Sequence, residues 1–354
     1  MEISEKIVRK AMELGYVKAG ITPADDLEDY YQEIMSREAY RIFQSRKFVG
    51  NCRIKEKFPQ ARSILSLAHG YGQVRFPEGL TRHIGRLYQG HCYNPPADNI
   101  HAARLELMKG YIREQGIGIL EDVLLPERAV AARAGVGTYG KNNFLYVDGY
   151  GSFVMLSTIV MDTEMTYSRP TVERKCPPDC TVCMDACPTK AIASPGHLIP
   201  SRCIAYQTFS SQGALSDIPH EIREKMGAHI HGCDVCQEAC PRNRQALKNA
   251  SARDPLLEMI EKEFDLEKIL FLDDEYYEKV LHPILYNYIK EYRYFRRNAA
   301  IAMGNSGNER YIPALKRARQ DSDECVSEAA GWALGRIAVL QEEHDRGAEN
   351  ENGK

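Results

Sequence analysis

Eight of the eleven cysteines fall between residues 176 and 240. They read Cys176-x3-Cys180-x2-Cys183-x3-Cys187-Pro188, then Cys203, then Cys233-x2-Cys236-x3-Cys240-Pro241. Met1–Glu5 carries neither a basic n-region nor an apolar h-region, so a cytoplasmic protein is expected, and dense cysteine there argues for metal rather than disulfides. Thiolates at these spacings suit either tetrahedral zinc or iron–sulfur cubes. The repeated Cys-Pro endings favour cubes. Cys52, Cys92 and Cys325 stand apart and read as ordinary thiols.

The two C-x2-C-x3-C-P strings resemble those of bacterial two-cluster ferredoxins, in which the cysteine before proline crosses to the other cluster. That resemblance implies Cys176, Cys180, Cys183 and Cys240 around one 4Fe–4S cluster, and Cys203, Cys233, Cys236 and Cys187 around a second. The first spacing departs from the ferredoxin run by one residue. Two neighbouring clusters form a one-electron relay, which needs a terminus.

A second chemical string is Gly135-Val-Gly137-Thr-Tyr-Gly140-Lys141-Asn142. It mimics a dinucleotide fingerprint, but the residues before it have helical composition where a strand is required. It also mimics a phosphate loop, but Asn142 replaces the Ser or Thr that would hold magnesium. Without further context it is a glycine turn between helix and strand.

The elements that must position these groups divide the 354 residues into an α+β arrangement. Apolar residues at 44% and charged residues at 27% exclude wholesale disorder. The apolar run at 153–161 is far short of the roughly 20 residues that span a bilayer. An N-terminal α/β domain is expected over 1–168. In it Ser4 caps a helix to Leu14, Tyr16–Thr22 and Ser63–Ala68 are strands, and Asn99–Glu114 is a helix whose Ile100, Ala103, Leu107, Met108, Tyr111 and Ile112 share one face. Ile117–Leu120 and Phe153–Met161 read as further strands. A cluster domain follows over 169–248, helices over 249–340, and a disordered polar tail over 341–354. Asn298–Gly304 returns as Ala329–Gly335, an offset of 31 residues that reads as a short HEAT-type pair.

Taken together, Glu127-Arg-Ala-Val-Ala-Ala-Arg-Ala-Gly-Val-Gly-x-x-Gly-Lys-Asn142, then Gly151-Ser152, the two cysteine strings and Gly232-Cys-Asp-Val-Cys-Gln-Glu-Ala-Cys-Pro241 resemble the epoxyqueuosine reductase family in order and spacing. The resemblance spans roughly residues 60–340. It implies a cobalamin-binding domain, a ferredoxin-like domain with two 4Fe–4S clusters, HEAT-like repeats that grip tRNA, and removal of the epoxide oxygen of epoxyqueuosine. Gly135, Gly137, Gly140, Lys141, Asn142 and Ser152 would then meet the cobalamin. The family's acid, an aspartate six residues before the Glu of the E-R-A string, falls on Glu121, with Asp122 beside it. The expected partners are the tRNA anticodon stem-loop and a low-potential donor such as ferredoxin or flavodoxin. The Gly90–Pro96 segment departs from the family pattern, which leaves open a corrinoid reductase for another small substrate, or an electron-transfer protein serving a corrinoid partner.

Net charge is −3, so any RNA contact must be local. Between residues 293 and 319 there are seven basic residues against Glu309 alone, with aromatic residues interleaved. Arg293, Arg296, Arg297, Lys316 and Arg317 are the expected phosphate contacts on the helical repeats.

Overall fold

The computed structural model describes residues 2–171, 176–208, 218–286 and 291–352, with side chains through Arg346. Along the chain come α1 (Ile3–Glu13), β1 (Lys18–Pro23), α2 (Glu28–Ser36), β2 (Ser63–Gly70), α3 (Ile100–Glu114), β3 (Ile119–Leu120), α4 (Glu127–Arg133), β4 (Thr138–Tyr139), β5 (Leu145–Tyr146) and β6 (Val154–Met161). The main sheet runs β1-β2-β6-β3, and every pairing is antiparallel. The N-terminal unit is therefore α+β rather than the α/β layout expected from its alternation of helix and strand.

Both sheet faces are covered. Leu65 and Ile159 are paired across β2 and β6 and, with Leu67 and Met161, meet Ile7 of α1 and Met108 and Ile112 of α3. Ile64 and Val160 point the other way, toward Ile54 and Val130 of α4. Burial on both faces explains the continuous apolar run of β6.

Several local expectations change. Ser4 lies inside α1, buried, and its hydroxyl accepts the Thr166 N–H at 2.9 Å; the helix is capped instead by a Glu2–Glu5 box. In α3, Asn99 caps as its type predicts, accepting the Ala102 N–H. The inward face, however, carries His101, Met108 and Ile112, while Ile100 and Leu107 are 52% and 60% exposed. His101 takes the inward position because its ring reaches the Ser157 hydroxyl and lies beside the ring of His69.

Beyond the sheet, α5 (Val182–Ala186) and α6 (Val235–Glu238) each end at a Cys-Pro and pack on one another. Between them lies a small hairpin of β7 (Ile192–Ser194) and β8 (His197–Leu198). The helical part includes α7 (Leu266–Leu270), α8 (Tyr292–Asn305), α9 (Ile312–Ala318) and α10 (Glu324–Asn352). The repeated small-residue strings form the α8–α10 contact: a Cβ on Gly304 would lie 2.7 Å from the Cα of Ala333. The polar stretch after Gln341, expected to be disordered, continues α10, and the Gln341 amide donates to the Gly307 carbonyl at 2.8 Å. Gly353 and Lys354 lie outside the described residues.

Leu80, Ile84 and Tyr88 leave the N-terminal unit and pack in the helical core with Ile222 and Phe295. The expected boundary near residue 168 therefore does not separate two independent cores. Among the described residues, no helix is long and apolar enough to cross a membrane.

Candidate active site

The cysteine thiols form two electrostatic groups. Burial pushes the Cys183 thiol up to about 11, and the neighbours that push it further are Cys240, Cys176 and Cys180. Burial likewise raises Cys233 to about 12, with Cys203 and Cys187 beside it. Cys236 is raised well above the ordinary range by burial, then by Cys233, Cys203 and Cys187. Each group thus draws a Cys-Pro cysteine from the opposite string. Thiols gathered this closely keep their protons until a cation replaces them, so metal loading releases protons and stabilises the fold. The Ala191 N–H donates to the Cys187 sulfur at 3.3 Å, the kind of hydrogen bond that tunes a cluster's potential.

The glycine loop serves these cysteines. Its residues Gly140–Asn143 form the turn between β4 and β5, closed by the Gly140 N–H to the Phe144 carbonyl, with Asn143 left-handed at φ 65°. Lys141 is 8% exposed, and its ammonium donates to the carbonyls of Pro177, Pro178 and Cys180 at 2.8, 2.7 and 2.8 Å. The Asn142 amide donates to the Tyr146 hydroxyl and to the Cys236 carbonyl. Ser152 donates its N–H to Asn243 Oδ1 and its hydroxyl to Gln237 Oε1, both at 2.8 Å. These three side chains, expected against a cofactor, instead tie the sheet domain to both cluster loops. The loop glycines are also spoken for by the protein. A Cβ on Gly137 would lie 2.7 Å from the Tyr146 carbonyl oxygen, one on Gly140 2.5 Å from the Tyr146 ring, and one on Gly135 2.3 Å from the Arg169 carbonyl oxygen.

Sequence reasoning missed Asn243, Gln237 and Arg242, which complete this seam. Arg242 donates to the Thr138 hydroxyl at 2.6 Å and lies over the Tyr146 ring at 4.1 Å. Their signal was faint: polar residues near a Cys-Pro, with partners 85, 91 and 104 residues away.

A cavity of about 670 Å³ opens beside the loop, with Tyr139 and Asn143 on one wall and Gly196 and Leu198 of the β7–β8 hairpin on another. The segment from α2 to Phe48 and the start of α4 close the remainder. That segment reaches the cluster domain through Arg37, which meets His197 at 2.6 Å, and through Phe43, edge-on to Tyr206. Glu127, the first residue of α4, lines the cavity, and its surface is open to that space. Glu127 is exposed to that space, so the upward push on its carboxyl from the protein around it, against the pull of Arg128, is moderated by solvent.

The expected acids do not reach this cavity. Although its partial burial acts upward, Glu121 is held below the ordinary carboxylate range by Lys109 and Arg113, with which it pairs at the surface. Asp122 is exposed and left-handed at φ 56°. The expected RNA face is also reduced. Arg297 is 1% exposed and donates to Asn298 Oδ1 and the Gln207 carbonyl, so no phosphate can reach it. Arg296 is held by the Leu270 carbonyl and Asp321, and Arg293 by Glu291. Lys316 stays exposed, and Arg317, also exposed, stacks over the Phe271 ring at 3.4 Å.

Residues 176–243 match a 4Fe-4S double cluster binding domain. The whole chain is similar to the epoxyqueuosine reductase of Xanthomonas campestris pv. campestris, at 30% identity over 350 residues, covering 94% of this chain and 96% of that one. Its fold is similar to a structure of the Bacillus subtilis epoxyqueuosine reductase with the catalytic aspartate loop swung out of the active site: TM-score 0.77, 26% identity, 94% and 90% coverage. It also matches a crystal structure of an epoxyqueuosine reductase with an epoxyqueuosine-modified tRNA-Tyr stem loop, at TM-score 0.75 and 25% identity, covering 94% and 89%.

Proposed function

The chain belongs to the epoxyqueuosine reductase family, and from that premise we propose that it is the oxidoreductase that converts epoxyqueuosine in tRNA to queuosine. The observation that carries the reading is the pairing of the eight cysteines into two partly buried groups, behind a loop whose Tyr139 and Asn143 line the cavity. Iron–sulfur clusters are its electron carriers. Cys176, Cys180, Cys183 and Cys240 hold one 4Fe–4S cluster, and Cys187, Cys203, Cys233 and Cys236 the other.

Deoxygenating an epoxide to an alkene takes two electrons and two protons and releases water. Clusters deliver electrons singly, so a two-electron collector is required. A corrinoid supplies that chemistry when bound, as a low-valent cobalt nucleophile. The cavity fits such a group in donor chemistry: Phe43, Phe48 and Leu198 offer apolar walls, and Tyr139 and Asn143 offer polar groups for an amide-fringed macrocycle. Lys141, Asn142 and Ser152 act one layer behind, holding the cluster loops against that wall. For the RNA, Lys316 and Arg317 remain available as phosphate contacts, whereas Arg297 is structural.

Anaerobically purified protein should contain about eight iron and eight sulfide per chain, show a corrinoid spectrum, and convert an epoxyqueuosine stem-loop when given a low-potential reductant. Clusters and corrinoid without turnover would refute the substrate. Clusters with no corrinoid binding would refute the reductase and leave an electron-transfer protein.

A further inference from the structure

Both oxygens of Asp234, the residue after Cys233, accept from N–H donors, the pattern of a carboxylate. Oδ2 takes the Arg86 N–H and Oδ1 the Gln237 amide, each at 2.7 Å. We propose that Arg86 sets the reduction potential of the cluster assigned to Cys187, Cys203, Cys233 and Cys236, by compensating the charge that Asp234 brings to it. The assignment rests on the cluster ligation given above and adds a residue that binds no iron.

The segment from Ile84 to Arg86 lies against the second cysteine string. Ile84 bridges to His231, the Gly85 N–H donates to the His231 carbonyl at 2.8 Å, and a Cβ on Gly85 would lie 3.5 Å from the Cys233 backbone nitrogen. Gly232, left-handed at φ 78°, permits that approach, since a Cβ there would lie 3.3 Å from the Gly85 Cα. The close seat brings the Arg86 guanidinium to 3.5 Å from Asp234 Oδ2 and into a salt bridge with Glu238. The side chains of Arg86 and Asp234 are 15% and 8% exposed. Glu238 is exposed, as is Arg202 beside Cys203, so water screens both. Of the charges on this wall, those of Arg86 and Asp234 are screened least.

The thiols feel Asp234: after burial, and together with the neighbouring cysteines, it pushes Cys233 and Cys236 up. A cluster's potential follows the net charge around it. Each reduction adds one electron, taken from an external low-potential one-electron donor that is oxidised in turn, and no bond forms or breaks. A lone carboxylate would oppose the arriving negative charge, and Arg86 cancels that opposition. Lys141 stands in the same relation to the first cysteine group, on the carbonyls of Pro177, Pro178 and Cys180. A buried cation thus lies against each group.

The test compares wild type, Arg86→Gln, Asp234→Asn and the double variant as anaerobically purified, cluster-loaded proteins at about pH 8, where a carboxyl is ionised. Redox titration followed by electron paramagnetic resonance reads the potentials, and a Cys203→Ala protein identifies the second cluster's signal by its loss. At a fixed solution potential, Arg86→Gln should lower the ratio of reduced to oxidised second cluster about tenfold, a downward shift of about 59 mV. Asp234→Asn should move that ratio about as far upward, and the double variant should return close to wild type. A merely structural role would move both single variants the same way, or neither. A potential that stays or rises in Arg86→Gln, or stays or falls in Asp234→Asn, would overturn the assignment. Where one variant loses the second cluster, seen as iron falling from about eight toward about four per chain, the sign of the shift in the other decides. Wild-type protein with only about four iron would bring down the cluster ligation, and the assignment with it. Opposed shifts in a protein that fails to turn over the stem-loop would uphold the assignment and bring down the substrate alone.

Discussion

Replacing Lys141 with methionine keeps the length of a buried side chain and removes its three N–H donors. Those donors hold the carbonyls of Pro177, Pro178 and Cys180, the backbone that presents Cys176 and Cys180. A hydrogen bond from a charged donor contributes roughly 1.5–3 kcal/mol net, and carbonyls left dry cost more. Part of that is regained because methionine is cheaper to bury than an ammonium. A net loss of about 3–5 kcal/mol is expected, concentrated on one loop. The iron content should then fall from about eight toward four per chain, because the first group loses its arrangement while the second is tied down separately through Asn142 and Ser152. Iron and sulfide analysis beside urea unfolding of the apo-protein reads both effects. Full iron content together with an unchanged urea midpoint would refute the argument. Lys141→Arg is expected to be nearly as damaging, since a planar guanidinium cannot converge on three carbonyls as an ammonium does.

Gly151→Ala should cost the second loop its anchor, because Gly151 is left-handed at φ 61° and a Cβ would lie 2.1 Å from Asn243 Oδ1; about 2 kcal/mol or more of stability should disappear in urea melts, with the iron loss falling on the second cluster. His69 and His101 are lowered to about 3 and about 4, first by burial and then by neighbouring positive charge, so below pH 6.5 the unfolded chain takes up protons that the folded chain refuses. Stability should fall from pH 6.5 toward 4, by about 2 kcal/mol per histidine at pH 5, and His101→Gln should flatten that slope. Lys316→Ala with Arg317→Ala should lessen the salt dependence of stem-loop binding by about 0.7–0.9 log units for each phosphate that is no longer neutralised. Arg297→Ala should lower the melting temperature, since its guanidinium is buried.

The cysteine groups were legible in the sequence because their spacing is covalent and local: three residues on one short helix and its flanks, then a proline that turns the chain. The four strands of the main sheet were legible for the same reason, whereas the two-residue and three-residue strands of the small hairpins were not. What the sequence hid was partnership across distance. Lys141 reads as a ligand-facing lysine until its target, 36 to 39 residues later, is known to be bare carbonyls. Arg297 sits in a basic run and reads as a phosphate contact, yet it lies inside the helical core, where the Gln207 carbonyl receives it. Hydropathy misassigns the α3 face because it counts Ile100 and Leu107 as interior and His101 as exterior, whereas a neutral histidine with a hydroxyl partner buries readily. Counting six residues back from Glu127 leads to Glu121, but spacing alone does not register Lys109 and Arg113 on the neighbouring helix.

In the proposed ligation Cys187 and Cys240 each serve the cluster of the other string, which bears on how the protein would survive damage. If oxygen destroys one cluster, the string that held it is still stapled at its far end by the cysteine it lends to the other cluster. The freed thiols stay near their old positions, and the loop does not drift into solvent. Rebuilding is then a local refilling of an arrangement kept in register, while loss of both clusters releases both strings together. Repair should therefore be fast after a single loss and slow after a double one, a kinetic memory written into the order in which the chain visits its two metal sites.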